Sequence, residues 1–277
     1  MLKIGKLTLF GLALAGFLMS ASAAGAVTIE YDGLIEPYAV VDIGSAAEGI
    51  VATVAVDRGA PVSQGQTVVE LESSVEQAAV EKAKTAASFH GEINLQLAQL
   101  AFAKRVHTRV KKLSAISDHD KDQAATEIVL TGQRLVKARE NKAMAKHELE
   151  RARALLARRS IQSPISGVVV DRFVSPGEYI NNQPVLRVAQ LDPLRVEVII
   201  PAGMFGRINP GMTATIIPEL SRYGEQTATV TIVDKVIDSA SNTFGVRLEM
   251  PNARKQTPSG LKCIVRFEIG EETDTMQ

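Results

Sequence analysis

Gly49-Ile50-Val51-Ala52-Thr53-Val54-Ala55-Val56 and Gly167-Val168-Val169-Val170 open two near-copies of a single pattern. In the first copy Gly59 follows ten residues after Gly49, and Val68-Val69-Glu70-Leu71 closes the unit. In the second, Gly177 again follows ten residues after Gly167, and Val185-Leu186-Arg187-Val188 stands at the matching end. Short β-branched runs with period-two alternation, punctuated by Gly and Pro, predict strands joined by tight turns. Gly59-Ala60-Pro61 and Pro176-Gly177 supply the turn chemistry, because Gly allows positive φ and Pro fixes its own. Either copy alone is too short to bury a sheet face. Two copies packed face to face predict a small sandwich.

The segment between the copies has a different character. From Ser74 to Ser160 there is no Pro, and Ala, Lys, Glu, Gln, Arg and Leu dominate, so helix is expected throughout residues 74–160. Apolar residues recur in steps of three or four at Ala79, Ala83, Ala86, Phe89, Ile93, Leu97, Leu100, Ala103, Val106, Val110 and Leu113. The stripe resumes at Ala124, Ile128, Leu135, Ala138, Ala145, Leu149, Ala152 and Leu156. A narrow stripe of this kind suits a coiled coil. Two antiparallel arms of about 40 residues follow, with a reach of roughly 60 Å at 1.5 Å per residue. The break at Ser114-Ala115-Ile116-Ser117-Asp118-His119-Asp120 supplies the turn. There Ser117 can cap the second arm, and Asp118 and Asp120 sit where the helix dipole favours negative charge.

Outside this frame, Lys3 and Lys6 precede an apolar run from Leu7 to Leu18 and the small residues Ala21-Ser22-Ala23, the layout of a secretory signal peptide over residues 1–23, with Ala24-Gly25-Ala26 offering a second cut and an uncleaved membrane anchor as the alternative. Its removal turns 31 basic against 31 acidic side chains into 29 against 31. So near-neutral a chain gives no electrostatic case for nucleic acid. Within the helical segment 17 Lys and Arg face 10 Asp and Glu, a surplus expected on a solvated or neighbour-pairing face. The single Cys263 forms no internal disulfide, and beside Leu261 and Ile264 it is expected to be a small buried strand residue. Five further strands are expected: Leu191 to Val198, Thr213 to Ile217, Thr227 to Val233, Thr243 to Glu249 and Leu261 to Ile269, with Asn209-Pro210-Gly211 as one of the turns. They predict a small barrel over residues 191–270, followed by a polar tail at 271–277.

Chemistry is not signalled. All four histidines lie in the helical segment, away from any nucleophile and acid arranged as a triad. The run Asp118, Asp120, Asp122 fails as a calcium loop, since Gln123 stands where the turn needs Gly and Val129 where a bidentate Glu is needed. No phosphate-binding Gly-rich loop ending in Lys occurs, and no metal or cofactor is expected.

The two β copies resemble the halves of a biotinyl/lipoyl carrier domain. Ser163-Pro164-Ile165-Ser166-Gly167 is similar to the start of the second half in the membrane fusion protein family typified by HlyD and AcrA. Leu191-Asp192-Pro193-Leu194, Ile237-Asp238-Ser239-Ala240-Ser241-Asn242-Thr243-Phe244 and Arg247-Leu248-Glu249-Met250-Pro251-Asn252 resemble the barrel signature of resistance-nodulation-division pump adaptors. The resemblance implies a mostly β chain with a long α-helical hairpin. Residues 27–73 and 161–190 would form a split lipoyl-like domain, residues 74–160 the coiled-coil hairpin and residues 191–270 the barrel. It further implies a non-enzymatic periplasmic adaptor that links an inner-membrane transporter to an outer-membrane channel and assembles with itself as a ring or funnel. By the family pattern, the hairpin tip docks on the channel through Arg109, Leu113 and Ser117, although the gap from Leu113 to Ser117 is about three residues shorter than is usual. Many members continue past the barrel into a membrane-proximal domain, whereas here the chain reaches Gln277, so the barrel is expected to meet the transporter. Two other readings stay open: a lipoyl or biotin carrier, although Glu72-Ser73-Ser74-Val75 offers no Lys at the carrier position, and a stand-alone periplasmic coiled-coil protein.

Overall fold

The computed structural model describes residues 26–254 and 256–270; the expected signal peptide and the polar tail lie outside the described residues. In chain order the first strands are β1 (Ala26–Gly44), β2 (Gly49–Val54), β3 (Pro61–Val62) and β4 (Thr67–Leu71). Three helices follow, α1 (Ser74–Ser88), α2 (Gly91–Lys111) and α3 (Asp118–Ala157). The chain then forms β5 (Ser160–Gln162), β6 (Gly167–Arg172), β7 (Tyr179–Ile180) and the long β8 (Pro184–Pro201). It ends with β9 (Thr213–Pro218), β10 (Gln226–Val233), β11 (Thr243–Met250) and β12 (Lys262–Gly270). These elements gather into two compact units. One holds Glu36–Arg195 and Pro251–Gly260; the other holds the described residues up to Ile35, Val196–Met250 and the strand from Leu261 on.

In the first unit the repeat is real, but its halves interlock. Within each copy the first strand pairs with the last: Val51 faces Leu71 across β2 and β4, and Val169 faces Val188 across β6 and β8. The short middle strands cross over, β3 pairing with β6 and β7 with β2. Even single hydrogen bonds repeat. Val51 N donates to Glu178 O (2.8 Å), and Val169 N donates to Ala60 O (3.0 Å). Gly177 N donates to Val51 O and Gly59 N to Val169 O, both at 2.8 Å. In every pair the second copy's number exceeds the first's by 118. The ladder irregularities obey the same offset, falling between Val51 and Thr53 and between Val169 and Asp171. Gly59 (φ 83°) and Gly177 (φ 89°) hold the left-handed turns that send each middle strand across. The expected face-to-face packing of two self-contained copies is thus replaced by exchange, because a two-residue strand finds a ladder only on its neighbour. The shared core follows the repeat: Val51 and Val169 are 1% exposed, and Val68 and Leu186 are fully buried. Each such side chain contributes about 1.5–3 kcal/mol.

Between β4 and β5 of the same unit the helices form a hairpin. Every apolar position expected along the second arm faces inward on α3 or is half-buried there: Leu135, Ala138 and Ala152 are buried, and Ala124, Ile128, Ala145, Leu149 and Leu156 are half-buried. The first arm departs from the expectation of one continuous helix. It is interrupted at Phe89 (φ −63°, ψ 132°) and His90. On the α1 side of this break the inward residues are Val80, Ala83 and Ala87, and Ala79, Ala86 and Phe89 face solvent. On α2, Gln96 is buried, while Leu97, about 100° round the helix, is 42% exposed. Gln96 Nε2 donates to Glu92 Oε1 at 2.8 Å, which lets its aliphatic stem occupy the seam.

The second unit is a six-stranded barrel in the order β1-β12-β9-β10-β11-β8, closed by pairing of β1 with β8. Along β8, Val196, Val198 and Ile200 point inward with almost no exposure, while Ile199 between them is 69% exposed. On β12 Cys263 is 4% exposed, as a small strand residue should be; burial foremost pushes its thiol up to about 11. Gly33 opposite has no room for more, since a Cβ there would lie 2.9 Å from Val265 Cγ2 and 3.2 Å from Cys263 Sγ. The sequence splits β8 into two runs around Gln190, whereas the structure carries it unbroken from Pro184 to Pro201.

Candidate functional site

The hairpin concentrates unusual features at its two ends. At the tip, α2 ends with Arg109 and Lys111 in its last turn, and Leu113 N donates to Val110 O at 3.1 Å. Basic side chains suit a helix C-terminus, where carbonyls carry partial negative charge. Leu113 is 54% exposed, a large apolar side chain left at a turn, and Arg109 is exposed one helical turn before it. Ser117 is the N-cap of α3, as its sequence context implies. Its Oγ accepts from Asp120 N (3.2 Å) and donates to Asp120 Oδ2 (2.6 Å). The hydroxyl proton is therefore committed within its own helix. Asp118, in the first turn, is held below its ordinary carboxylate range chiefly by a hydrogen bond from Lys121 Nζ at 2.9 Å. The tip thus presents Arg109 and Leu113 outward and uses Ser117 and the acids to start the return helix.

The root is built from contacts that no local pattern announces. Arg158 donates to Ala46 O, and Arg159 Nη1 donates to Glu48 O at 2.7 Å. Arg159 also pairs with Glu76 in the first turn of α1, both side chains being mostly covered at 24% and 18% exposure. The backbone joins in: Leu71 N donates to Arg159 O (2.9 Å) and Glu72 N to Ile50 O (2.8 Å). Both ends of the helical excursion are therefore tied to the first strands of the β repeat. Sequence reasoning missed this because Glu76 and Arg159 lie on separate arms; the only local hint was a charged residue in an otherwise apolar stripe.

A second meeting place involves two of the sequence stretches singled out above. Asn252, 5% exposed, donates its backbone N–H to Asp192 Oδ1 (3.0 Å), and its Nδ2 donates to Leu191 O and Thr257 O at 2.9 Å. Asp192 and Asn252 are thus one polar joint, not two motifs.

Among the described residues no cluster of His, Cys, Asp and Glu could hold a metal ion, and no helix is long and apolar enough to cross a membrane.

Comparison with known proteins gives the arrangement its relatives. Residues 39–190 match the model of the CzcB-like barrel-sandwich hybrid domain. The pyoverdine export membrane fusion protein PvdR of Pseudomonas aeruginosa is 28% identical over 254 residues, covering 87% of this chain and 64% of that protein. The multidrug export protein AcrE of Escherichia coli is 25% identical over 271 residues, 90% of this chain and 66% of the relative. The chain therefore spans just under two thirds of the length of these relatives. Among solved structures, MacA from Actinobacillus actinomycetemcomitans superposes with a TM-score of 0.73 at 21% identity, covering 89% of this chain and 80% of that one. The membrane fusion protein Spr0693 from Streptococcus pneumoniae gives 0.62 at 16% identity, over 88% of this chain and 100% of that one. Both show the same mostly β architecture with a helical hairpin. Matched over more than half of its length, the chain belongs to the CzcB-like barrel-sandwich hybrid family of membrane fusion proteins.

Proposed function

We propose that this protein is the periplasmic adaptor of a tripartite export system, joining an inner-membrane transporter, of resistance-nodulation-division type by its barrel motifs, to an outer-membrane channel. The observation that carries the reading is the hairpin. It leaves the β repeat between β4 and β5, is tied down at its root by Arg158 and Arg159, and ends in a tip where Arg109 and Leu113 face outward. An element held so firmly at one end and so bare at the other suits a reaching contact rather than a packed core. In this reading the β strands of residues 36–73 and 161–195 are a lipoyl-like domain, the expected N-terminal part of its first half, residues 27–35, belonging to the barrel instead, and residues 74–160 are a coiled-coil hairpin that docks on the channel through Arg109 and Leu113. Ser117 sets the tip's geometry through its cap, and the barrel formed by β1 up to Ile35, Val196–Met250 and the strand from Leu261 on, rather than the whole of residues 191–270, meets the transporter. Copies assemble side by side as a ring or funnel. The job is binding, with transport energy supplied by the partner, and the location is the periplasm, reached through the signal peptide at residues 1–23. PvdR and AcrE are named for export, which favours this reading over that of a lone coiled-coil protein.

The test is charge reversal at the tip. Arg109→Glu should leave secretion and folding unchanged, abolish capture of the channel by in-cell crosslinking, and abolish export. Export and channel capture at the parent level in that variant would remove the docking assignment. Capture of neither transporter nor channel by the parent chain would remove the adaptor reading altogether.

A further inference from the structure

The two pieces of the first arm meet the same return helix in different registers. On α3 the inward positions Ala124, Ile128, Thr131, Leu135 and Ala138 continue to Leu156 in unbroken alternate steps of four and three. On α2 the inward positions Ile93, Gln96, Leu100, Ala103, His107 and Val110 keep the same rhythm, as do Glu76, Val80, Ala83 and Ala87 on α1. From Ala87 to Ile93, however, the step is six where the rhythm needs seven. Phe89 accounts for the missing residue, because its backbone is extended. An extended residue rises about 3.3 Å and a helical one about 1.5 Å, so six residues with one extended advance about as far as seven helical ones. Consequently α1 keeps its height along α3 but is turned by about 100°, one residue's worth.

That turn leaves a second stripe outside. Counting back from Ile93 in the rhythm of α2 gives Phe89, Ala86, Lys82, Ala79 and Val75. Val75 and Phe89 are 72% and 68% exposed, and Ala79 and Ala86 face solvent. The stripe would face α3 if the arm were one helix. No Pro stands between Ser74 and Lys111 to forbid this. Against it stand the Glu76–Arg159 pair, which exists only in the observed register, and Lys82, which would take the seam position of Ala83.

We propose that Ser88–Gly91 is a phase-slip joint: α1 can rejoin α2 as a continuous helix, exchanging its seam of Glu76, Val80, Ala83 and Ala87 for Val75, Ala79, Ala86 and Phe89. The register of α2 on α3, and with it the tip, is unchanged in both states. Rejoining gains burial of Phe89 and backbone hydrogen bonds across the joint; the observed state keeps the root ion pair. The root is thereby a latch on the rotational state of the hairpin's lower arm. This inference rests on helix geometry alone and holds whatever the tip binds.

The test uses full-length chains with Cys263→Ala and a single new cysteine, Ala86→Cys or Ala87→Cys, and reads their rates of maleimide labelling in the native state. In the parent background position 86 is exposed and labels faster than half-buried 87. Adding Glu76→Ala with Gly91→Ala releases the latch and strengthens helix through the joint. The ratio of the two rates should then fall by about tenfold, as a shift to a predominantly rejoined arm requires, each rate following the population in which its site is exposed. Lys82→Leu is a second route, making the alternative seam apolar at a site exposed in the observed register; it should lower the same ratio with the ion pair intact. A cysteine at Met144 on the outer face of α3 should label at a constant rate throughout. A ratio that stays within twofold of the parent in both backgrounds overturns the joint.

Discussion

Gly167→Ala is the sharpest probe of the interlocked repeat. Gly167 lies in β6, buried, opposite Val62 of β3 and beside Ala189 of β8. A Cβ built there would sit 2.2 Å from Ala189 O, 2.8 Å from Ala189 C and 3.0 Å from Val188 Cγ1. Carbon contacts are comfortable at about 3.5–4.0 Å, so the ladder must part by roughly an ångström. The obstacles are backbone atoms of a paired strand, which cannot swing aside as a side chain can. Overpacking of this kind costs about 2–3 kcal/mol, the upper part of its usual range. For a unit of this size each kcal/mol is about 2–4 °C in Tm, so Tm should fall by about 4–12 °C. At the counterpart Gly49 a Cβ would meet Arg159 Nη1 at 2.7 Å, the atom that donates to Glu48 O, and the φ of 158° itself disfavours a side chain, so Gly49→Ala should also destabilise, through the backbone and the root contact rather than through the ladder. Gly132→Ala, in a helix with nothing within 4 Å of the new methyl, should instead stabilise by about 1 kcal/mol. Thermal and urea unfolding followed by circular dichroism read all three. A Gly167→Ala chain melting within a degree of the parent would show that β6 and β8 are not locked as described.

Ser117→Ala should cost about 1 kcal/mol locally through loss of the cap; amide exchange at residues 118–121 should speed up, and unchanged exchange there would deny the hydroxyl its capping role. Asn252→Ala removes the side chain that bridges Leu191 and Thr257, and should cost about 1–3 kcal/mol because buried backbone groups lose their partner; a urea midpoint equal to the parent's would refute this. Asp42 is held below the ordinary carboxylate range chiefly by the hydrogen bond from Arg187, whose guanidinium meets both of its oxygens at 2.6 and 2.9 Å. With the folded value depressed, its stabilising contribution is present above the ordinary carboxylate range and is lost as pH falls through the folded value. Asp42→Asn should therefore be less stable than the parent near neutrality and lose that disadvantage in acid. A deficit of equal size at both ends of a urea-unfolding pH series would remove the ion pair as its cause.

Much of this architecture was legible because it is periodic. The Gly and Val spacing of the two copies revealed the repeat, since left-handed turns at Gly59 and Gly177 leave a mark in any sequence that needs them. The crossing of β3 and β7 left none, because a two-residue strand carries no information about its partner. The seam of α3 was readable residue by residue, whereas that of α1 was misplaced: Ala79, Ala86 and Phe89 form the better apolar stripe only if the arm is unbroken, and the extended Phe89 turns it away. Leu97 is the natural choice over Gln96 because composition cannot see that Glu92 accepts from the Gln96 Nε2, although the buried Oε1 is left without a partner among the described residues. At the tip, the cap of Ser117 followed from local chemistry, while Arg109 and Leu113 rest on family resemblance and on their exposure. At the root, the pairing of Glu76 with Arg159 joins residues far apart in the chain, and only folding brings them together.

The exchanged middle strands also dictate an order of assembly. As the chain emerges from its N-terminus, β2 and β3 are made long before β6 and β7, the strands that complete their ladders. The first half must wait, with Val51 and Val62 bare, through the whole helical excursion. Joining ends across so long a gap carries an entropic penalty that grows with the logarithm of its length. The hairpin removes most of it, for its contacts are local and close quickly, and its zipping delivers Arg159 to Leu71 and so sets the late strands beside the early ones. The rod is thus a scaffold in time as well as in space: it must form for the β repeat to find itself.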